Sequence, residues 1–323
     1  MKEVRDKAKI QIEITNACRF SCTNCYKFVG HHARPHFMDL KMVKKAIDSL
    51  EGYQGNIGIT GGEPTLHPDF TEICEYLRRK VAPDQRYIQT TGYKWHDYKS
   101  VIKKTFFASH VKYNDHKDET QKHHPMLVAI KDVVADVSLR NELIDKCWVR
   151  DKWSALINVK GCFSCEVASA FDALYNGPGG LPIEKGWWAK GHEHFSEEME
   201  RNCCQCGAAL PQPTTTVQNN KDHVSISNFR MLERLQTPKF KKDRVLLVEN
   251  KYSTQDIKRI AEAWEPWQSE GEECSTKNIF QQVGAMINNY FNNNKSLRYI
   301  KTALKKVERN AWRLYWNFAK KAG

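Results

Sequence analysis

Short apolar runs recur along the first half of the chain at spacings that suit strands separated by helices. Ile10 to Ile14, Ile57 to Thr60, Tyr87 to Thr90 and Phe107 to Tyr113 read as four strands. Between the first two, Leu40, Val43, Ile47 and Leu50 share one helical face behind Asp39, a residue suited to cap a helix. After Pro68, a second stripe carries Phe70, Ile73, Cys74 and Leu77, so Cys74 is read as a core residue. Strands alternating with helices predict a parallel sheet with crossover helices. Met126 to Val134 and Leu139 to Ile144 read as helices, no fifth strand can be placed, and Ala155 to Val159 is read as a sixth. Farther on, Val245 to Val248 suits a strand and Thr254 to Trp264 a helix. Ser296 to Lys321 then sets Leu297, Ile300, Leu304, Val307, Ala311, Leu314 and Phe318 on one face of a long amphipathic helix.

Composition narrows the setting. The 323 residues suffice for one large or two ordinary domains. No apolar run approaches a membrane span, and Met1 to Lys9 is charged with no apolar segment behind it, so a cytoplasmic protein is expected. Eleven cysteines in such a chain favour metal or redox chemistry over a disulfide framework. The net charge of +12 is concentrated at one end: Lys277 to Gly323 holds ten Lys and Arg against the single acid Glu308. That tail predicts an anionic partner, whether a phosphorylated substrate, an anionic membrane surface bound peripherally, or nucleic acid.

The chemistry starts at Cys18, Cys22 and Cys25, spaced C-x3-C-x2-C directly after the first strand. Three thiolates can hold three irons of a cubane cluster and leave the fourth open to a substrate. Ile57 to Thr60 then runs into Gly61-Gly62-Glu63-Pro64. In these two motifs the chain resembles the radical S-adenosylmethionine (radical SAM) enzymes, over roughly its first half. The resemblance implies an open, partial (β/α)6 barrel with its chemistry at the carboxyl ends of the strands. It implies a [4Fe-4S] cluster on Cys18, Cys22 and Cys25, and S-adenosyl-L-methionine on the free iron, cleaved to a 5′-deoxyadenosyl radical. It further implies that the glycines admit close approach to the cofactor and that Glu63 accepts from its ammonium group. Tyr26 resembles the position near the adenine; Thr90, Thr91 and Gly92 close strand three near the cofactor, and Ser109 and Lys112 offer further contacts from strand four. A one-electron reductant such as flavodoxin or ferredoxin is implied as partner.

A second group of cysteines follows: Cys147, Cys162, Cys165, Cys203, Cys204 and Cys206. Cys162-x2-Cys165 and Cys203-x2-Cys206 by themselves have the pairing of a zinc ribbon. Beside the radical SAM motifs, Cys147, Cys165, Cys203 and Cys206 resemble the ligand order of a SPASM or twitch extension, which binds an auxiliary four-iron cluster, with Cys162 and Cys204 as competing ligands. Four thiolates would close such a cluster and suit it to moving electrons. The chain thus divides into a barrel core at 1–146, reaching 160 in one reading, an auxiliary-cluster region at 147–210, and an extension at 211–323 after a Pro-Gln-Pro linker.

The expected function is hydrogen abstraction from a substrate, leading to oxidation first or epimerisation second, with Cys162 or Cys204 as candidate hydrogen donor. A carbohydrate-type substrate is favoured by the tail and by Trp187-Trp188 with His192 and His194, which suit stacking on a ring although such residues often cover a core. Peptide or RNA modification is the alternative within the family, and a zinc-containing nucleic-acid-binding protein the alternative outside it. His31, His32, His36, His123 and His124 lie in polar stretches and read as solvated side chains.

Overall fold

A computed structural model describes residues 2–264 except 117, 119–120, 218, 220 and 250–252. The basic segment Ser296 to Lys321, and with it the anionic-partner and membrane-surface readings, lies outside the described residues.

The strand and helix periods read from the sequence are realised in the first half. β1 (Lys9–Thr15), β2 (Asn56–Gly61), β3 (Arg86–Thr90) and β4 (Val111–Tyr113) are parallel, joined by α1 (Leu40–Ser49), α2 (Phe70–Lys80) and α3 (Trp95–Thr105). Asp39 caps α1, its carboxylate accepting from Met42 N at 2.8 Å. A two-residue strand β5 (Lys122–His123) stands apart, and α4 (Ile130–Val133), α5 (Val137–Asp145) and α6 (Trp148–Lys152) occupy the stretch where no strand could be placed.

The chain then returns to the main sheet. β6 (Ala155–Asn158) pairs parallel with β1, and β7 (Gly161–Phe163) turns back antiparallel on β6. The six-stranded order is β4-β3-β2-β1-β6-β7. The sheet is consistent with the expected partial barrel, but β1 is interior and the strand read as sixth is its immediate neighbour. After α7 (Glu166–Leu174) and α8 (Ser196–Asn202), β8 (Thr215–Thr216) pairs with β5, and β9 (Asp222–Val224) pairs with β10 (Val245–Leu247). Between and beyond these last two strands lie α9 (Ile226–Leu235), α10 (Pro238–Lys241) and α11 (Thr254–Ala263).

Strand alternation gives the main sheet two unlike faces. Ile10, Ile12, Ile14, Ile57, Ile59, Ile88 and Ile157 join Val43, Ile47, Phe70 and Leu77 of the helices in one apolar core, and Cys74 is there as expected. The other face carries Gln11, Glu13, Thr60 and Gln89. A second core gathers Phe28, Leu127, Ile130, Leu143, Val167, Phe171 and Leu232. Trp187 is fully buried in the first core and Trp188 packs edge-on against Tyr53, so this pair covers the helical side and forms no stacking platform. No helix among the described residues is long and apolar enough to cross a membrane.

Candidate active site

Cys18, Cys22 and Cys25 lie in the loop that leaves the carboxyl end of β1. Burial pushes the Cys18 and Cys22 thiols up to about 12 and raises Cys25 as well, and the neighbouring thiols add to the shift at Cys18 and Cys22. Burial raises the core thiol of Cys74 as well, so it does not set these three apart; their number and their place in one loop do, and three thiols there are a donor set that fits an iron–sulfur cluster. His116 adds a polar contact, its Nδ1 3.3 Å from Cys22 Sγ.

The Gly-Gly-Glu segment is built into the same end of the sheet. A Cβ on Gly61 would stand 2.2 Å from the Thr15 carbonyl oxygen, and one on Gly62 2.4 Å from that of Ala17. In this chain both glycines admit the backbone that leads into the cysteine loop. Gly62 N donates to Thr15 O at 2.9 Å and Glu63 N to Ala17 O at 2.7 Å, so the two motifs are stitched together. Glu63 is fully buried. Its Oε1 accepts from Thr65 N (3.0 Å), Thr65 Oγ1 (2.6 Å) and Thr90 Oγ1 (2.7 Å), and Oε2 accepts from Thr91 N (2.7 Å) and Thr91 Oγ1 (2.5 Å). Five donors hold the carboxylate in one orientation. The three hydroxyls can rotate to other acceptors, which would free lone pairs for an incoming ammonium. Pro64 opens the short turn behind it.

Ser109 is a correction. Ala108–His110 forms a 3-10 turn and β4 begins only at Val111, leaving Ser109 exposed at the amino end of the strand. Glu63 and Thr90 lie at the carboxyl ends. The apolar Phe106-Phe107 pair made the run look longer than the strand is.

The polar face of the sheet carries a buried network of charged and polar side chains. Lys27 Nζ is 3.0 Å from Glu13 Oε2 and 3.9 Å from Glu166 Oε2, and His36 Nε2 is 3.7 Å from Glu13 Oε1. Gln11 donates to Ser154 Oγ at 2.7 Å, and Ser154 Oγ donates to Glu166 Oε1 at 2.6 Å. Tyr26 joins them through Gln89 and packs edge-on against Trp153 at 5.1 Å. Gln11 Oε1 and Thr60 Oγ1 are buried here without a hydrogen-bond partner. Two such atoms side by side are costly unless something polar meets them. His36 is half-buried in this network, and His31 and His124 are also buried, which corrects the reading of these histidines as solvated.

The middle cysteines separate into two kinds. Cys147, Cys165, Cys203 and Cys206 line one cavity together with Val149, Val167 and Phe171 and with Arg150, Ser164, Glu198 and Asn202. Burial pushes the Cys165 thiol up to about 11 and raises the other three, and neighbouring thiols add to the shift at Cys165, Cys203 and Cys206. Among the described residues no three Cys, His, Asp or Glu side chains converge on a point as a single ion would require; these four stand around a space. Cys162 points the other way. It pairs across from Ile157, lies in the helical-side core and meets the Pro182 carbonyl at 3.7 Å, on the face opposite the polar network, and is withdrawn as hydrogen donor. Cys204 packs at the margin of the second core.

The family description "Radical SAM superfamily" matches residues 12–109, which contain both motifs and the first three strands. Residues 12–109 are a radical SAM domain. Among curated proteins, a GTP 3′,8-cyclase of Photorhabdus laumondii is 34% identical over 89 residues, covering 26% of this chain and 27% of the relative. An S-adenosylmethionine-dependent nucleotide dehydratase of Selenomonas ruminantium is 36% identical over 70 residues, covering 21% and 24%. The likeness thus spans about a quarter of either relative's length. Of solved structures, BtrN in an open conformation matches with a TM-score of 0.38 and 16% identity, over 62% of this chain and 88% of that one.

Proposed function

We propose that this is a radical SAM oxidoreductase carrying two four-iron clusters, one on Cys18, Cys22 and Cys25 and an auxiliary one on Cys147, Cys165, Cys203 and Cys206. The observation that carries the reading is the single cavity lined by those four cysteines from three separate segments. When bound, the first cluster with S-adenosylmethionine supplies a 5′-deoxyadenosyl radical that takes a hydrogen atom from the substrate. The chain's own residues do the rest. Glu63 and its threonines orient the methionine moiety, and the buried polar network of Gln11, Glu13 and Lys27 faces the substrate. Glu13, paired with Lys27 at 3.0 Å, would take the hydroxyl proton when an alcohol carbon is oxidised to a carbonyl, and a cluster held by the four cysteines would take the remaining electron. Withdrawal of Cys162 leaves epimerisation with less support than oxidation.

Gln11, Thr60 and Lys27 suit a hydroxyl-rich substrate. Two relatives have nucleotides in their names, which favours a sugar borne on a nucleotide; the tryptophan pair no longer supports this reading. Cytoplasmic location and a flavodoxin or ferredoxin donor go with it. The test is anaerobic reconstitution, reduction with S-adenosylmethionine, and measurement of metal content and 5′-deoxyadenosine while nucleotide sugars are screened for accelerated release. The expected result is about eight irons per chain, four per cluster, and little zinc. Stoichiometric zinc at the middle cysteines, or no 5′-deoxyadenosine, would sink the reading.

A further inference from the structure

The loop that holds Cys22 and Cys25 is fastened by chain that follows it by some two hundred positions. Asn24 N donates to Asp222 Oδ1 at 2.7 Å across 198 residues, and His223 N donates back to Asn24 Oδ1 at 2.9 Å. Lys239 N donates to Gly30 O at 3.1 Å, and Lys239 Nζ reaches Cys22 O at 2.8 Å. The ammonium also lies 2.9 Å from Asp222 Oδ2, which takes His31 Nε2 at 2.8 Å, while His31 Nδ1 meets Thr237 Oγ1 at 2.9 Å. Asp222, Lys239 and His31 are each about 2% exposed. Gly30, at φ +91°, leaves room for the lysine stem, since a Cβ there would stand 2.9 Å from Lys239 Cε.

Burying an ammonium and a carboxylate is expensive, and removing one partner leaves the other uncompensated. These two are buried at the backbone of a cluster ligand, where their charges act with little screening. Neither belongs to either motif. We propose that Asp222 and Lys239, with His31, are positioning residues that hold the three-cysteine loop in shape and set the charge environment in which its cluster is reduced. This rests on the reading of Cys18, Cys22 and Cys25 as cluster ligands.

The test uses the full chain, reconstituted anaerobically, with the reduced cluster identified by the change of its paramagnetic resonance signal on adding S-adenosylmethionine. Lys239→Met leaves a negative charge near the cluster and should make reduction harder. Asp222→Asn leaves a positive charge and should make it easier. Each change is expected to alter the reduced-to-oxidised ratio at fixed potential at least tenfold, about 59 mV for one electron. The double variant should fall between them, and Lys239→Arg should stay near the parent. Shifts of the same sign in both single variants, or none in either, would overturn the electrostatic role. A second measurement needs no metal. In the iron-free chain, Asp222→Ala should speed amide exchange at Asn24 at least a hundredfold. An unchanged rate would overturn the positioning role whether or not any cluster binds, so this failure is distinct from failure of the ligand assignment.

Discussion

The two cysteine sets solve opposite problems with the same atom. Cys18, Cys22 and Cys25 are half-exposed at the rim of a sheet, with Glu63, His116 and a buried ion pair around them. Cys147 and Cys165 are buried, Cys203 and Cys206 are half-buried, and the cavity the four line sets Val149, Val167 and Phe171 beside Arg150, Ser164, Glu198 and Asn202. On the proposed reading, three ligands leave a corner where a molecule can bind and four leave none. That reading gives bond breaking to the first set and electron transfer to the second, and it can be attacked from either side.

The largest effect is expected from Cys18→Ala. It should abolish 5′-deoxyadenosine formation while the auxiliary irons remain. Cys165→Ala should do the reverse, losing about four irons and sparing some cofactor cleavage; equal loss of cleavage in both would erase the distinction. Next, Gly62→Ala drives a methyl against the Ala17 carbonyl. Overpacking of this kind costs about 1–3 kcal/mol, and iron at the first site should fall while iron at the second is kept, as metal analysis of each spectroscopic signal would show.

Acid sharpens the comparison differently. His124 is buried with Nε2 2.8 Å from the Gly207 carbonyl, one residue beyond Cys206, and burial lowers it to about 4. An unfolded histidine takes up its proton near pH 6.5, so the unfolded chain binds more protons between pH 6.5 and 4. Stability contributed by the neutral imidazole is therefore full above that window and is lost as pH falls through it. The loss approaches roughly 3 kcal/mol at about 1.4 kcal/mol per pKa unit. Denaturant titrations of parent and His124→Gln across that window would check it, the variant being expected to show a shallower slope. The smallest effect is expected from Cys162→Ala, which should leave both iron counts unchanged and cost about 1 kcal/mol of packing; loss of auxiliary iron would return Cys162 to the ligand set.

Legibility in the sequence followed distance along the chain. β1 to β3 and α1 to α2 were readable because each period is complete within ten or so residues, and both radical SAM motifs are local. The preference for Cys147, Cys165, Cys203 and Cys206 over Cys162 and Cys204 came from an order of spacing, whereas the sense in which Cys162 faces, into the helical-side core, follows from the alternation of β7. Ser109 was misplaced because apolar content does not mark where a 3-10 turn gives way to a strand. Asp222 and Lys239 carried no signal at all, and His31 was noticed only as a solvated histidine. Each is a single polar residue in an unremarkable stretch, and its meaning lies in a partner on a distant segment. Glu13, Lys27 and Glu166 were hidden likewise, although Gln11 and Glu13 alternating with isoleucines could have shown that one face of β1 is polar.

The Asp222–Lys239 tie has a bearing on how the protein is made. Synthesis runs from the amino end, so the ribosome presents all three cysteines of the first loop long before the residues that brace them exist. Iron delivered to the nascent chain would meet a slack loop, and productive loading must wait for position 239 to emerge. Chains arrested at residue 210 would carry both motifs and all the middle cysteines yet fail to retain the first cluster, a difference that iron-55 labelling of stalled and released chains would reveal.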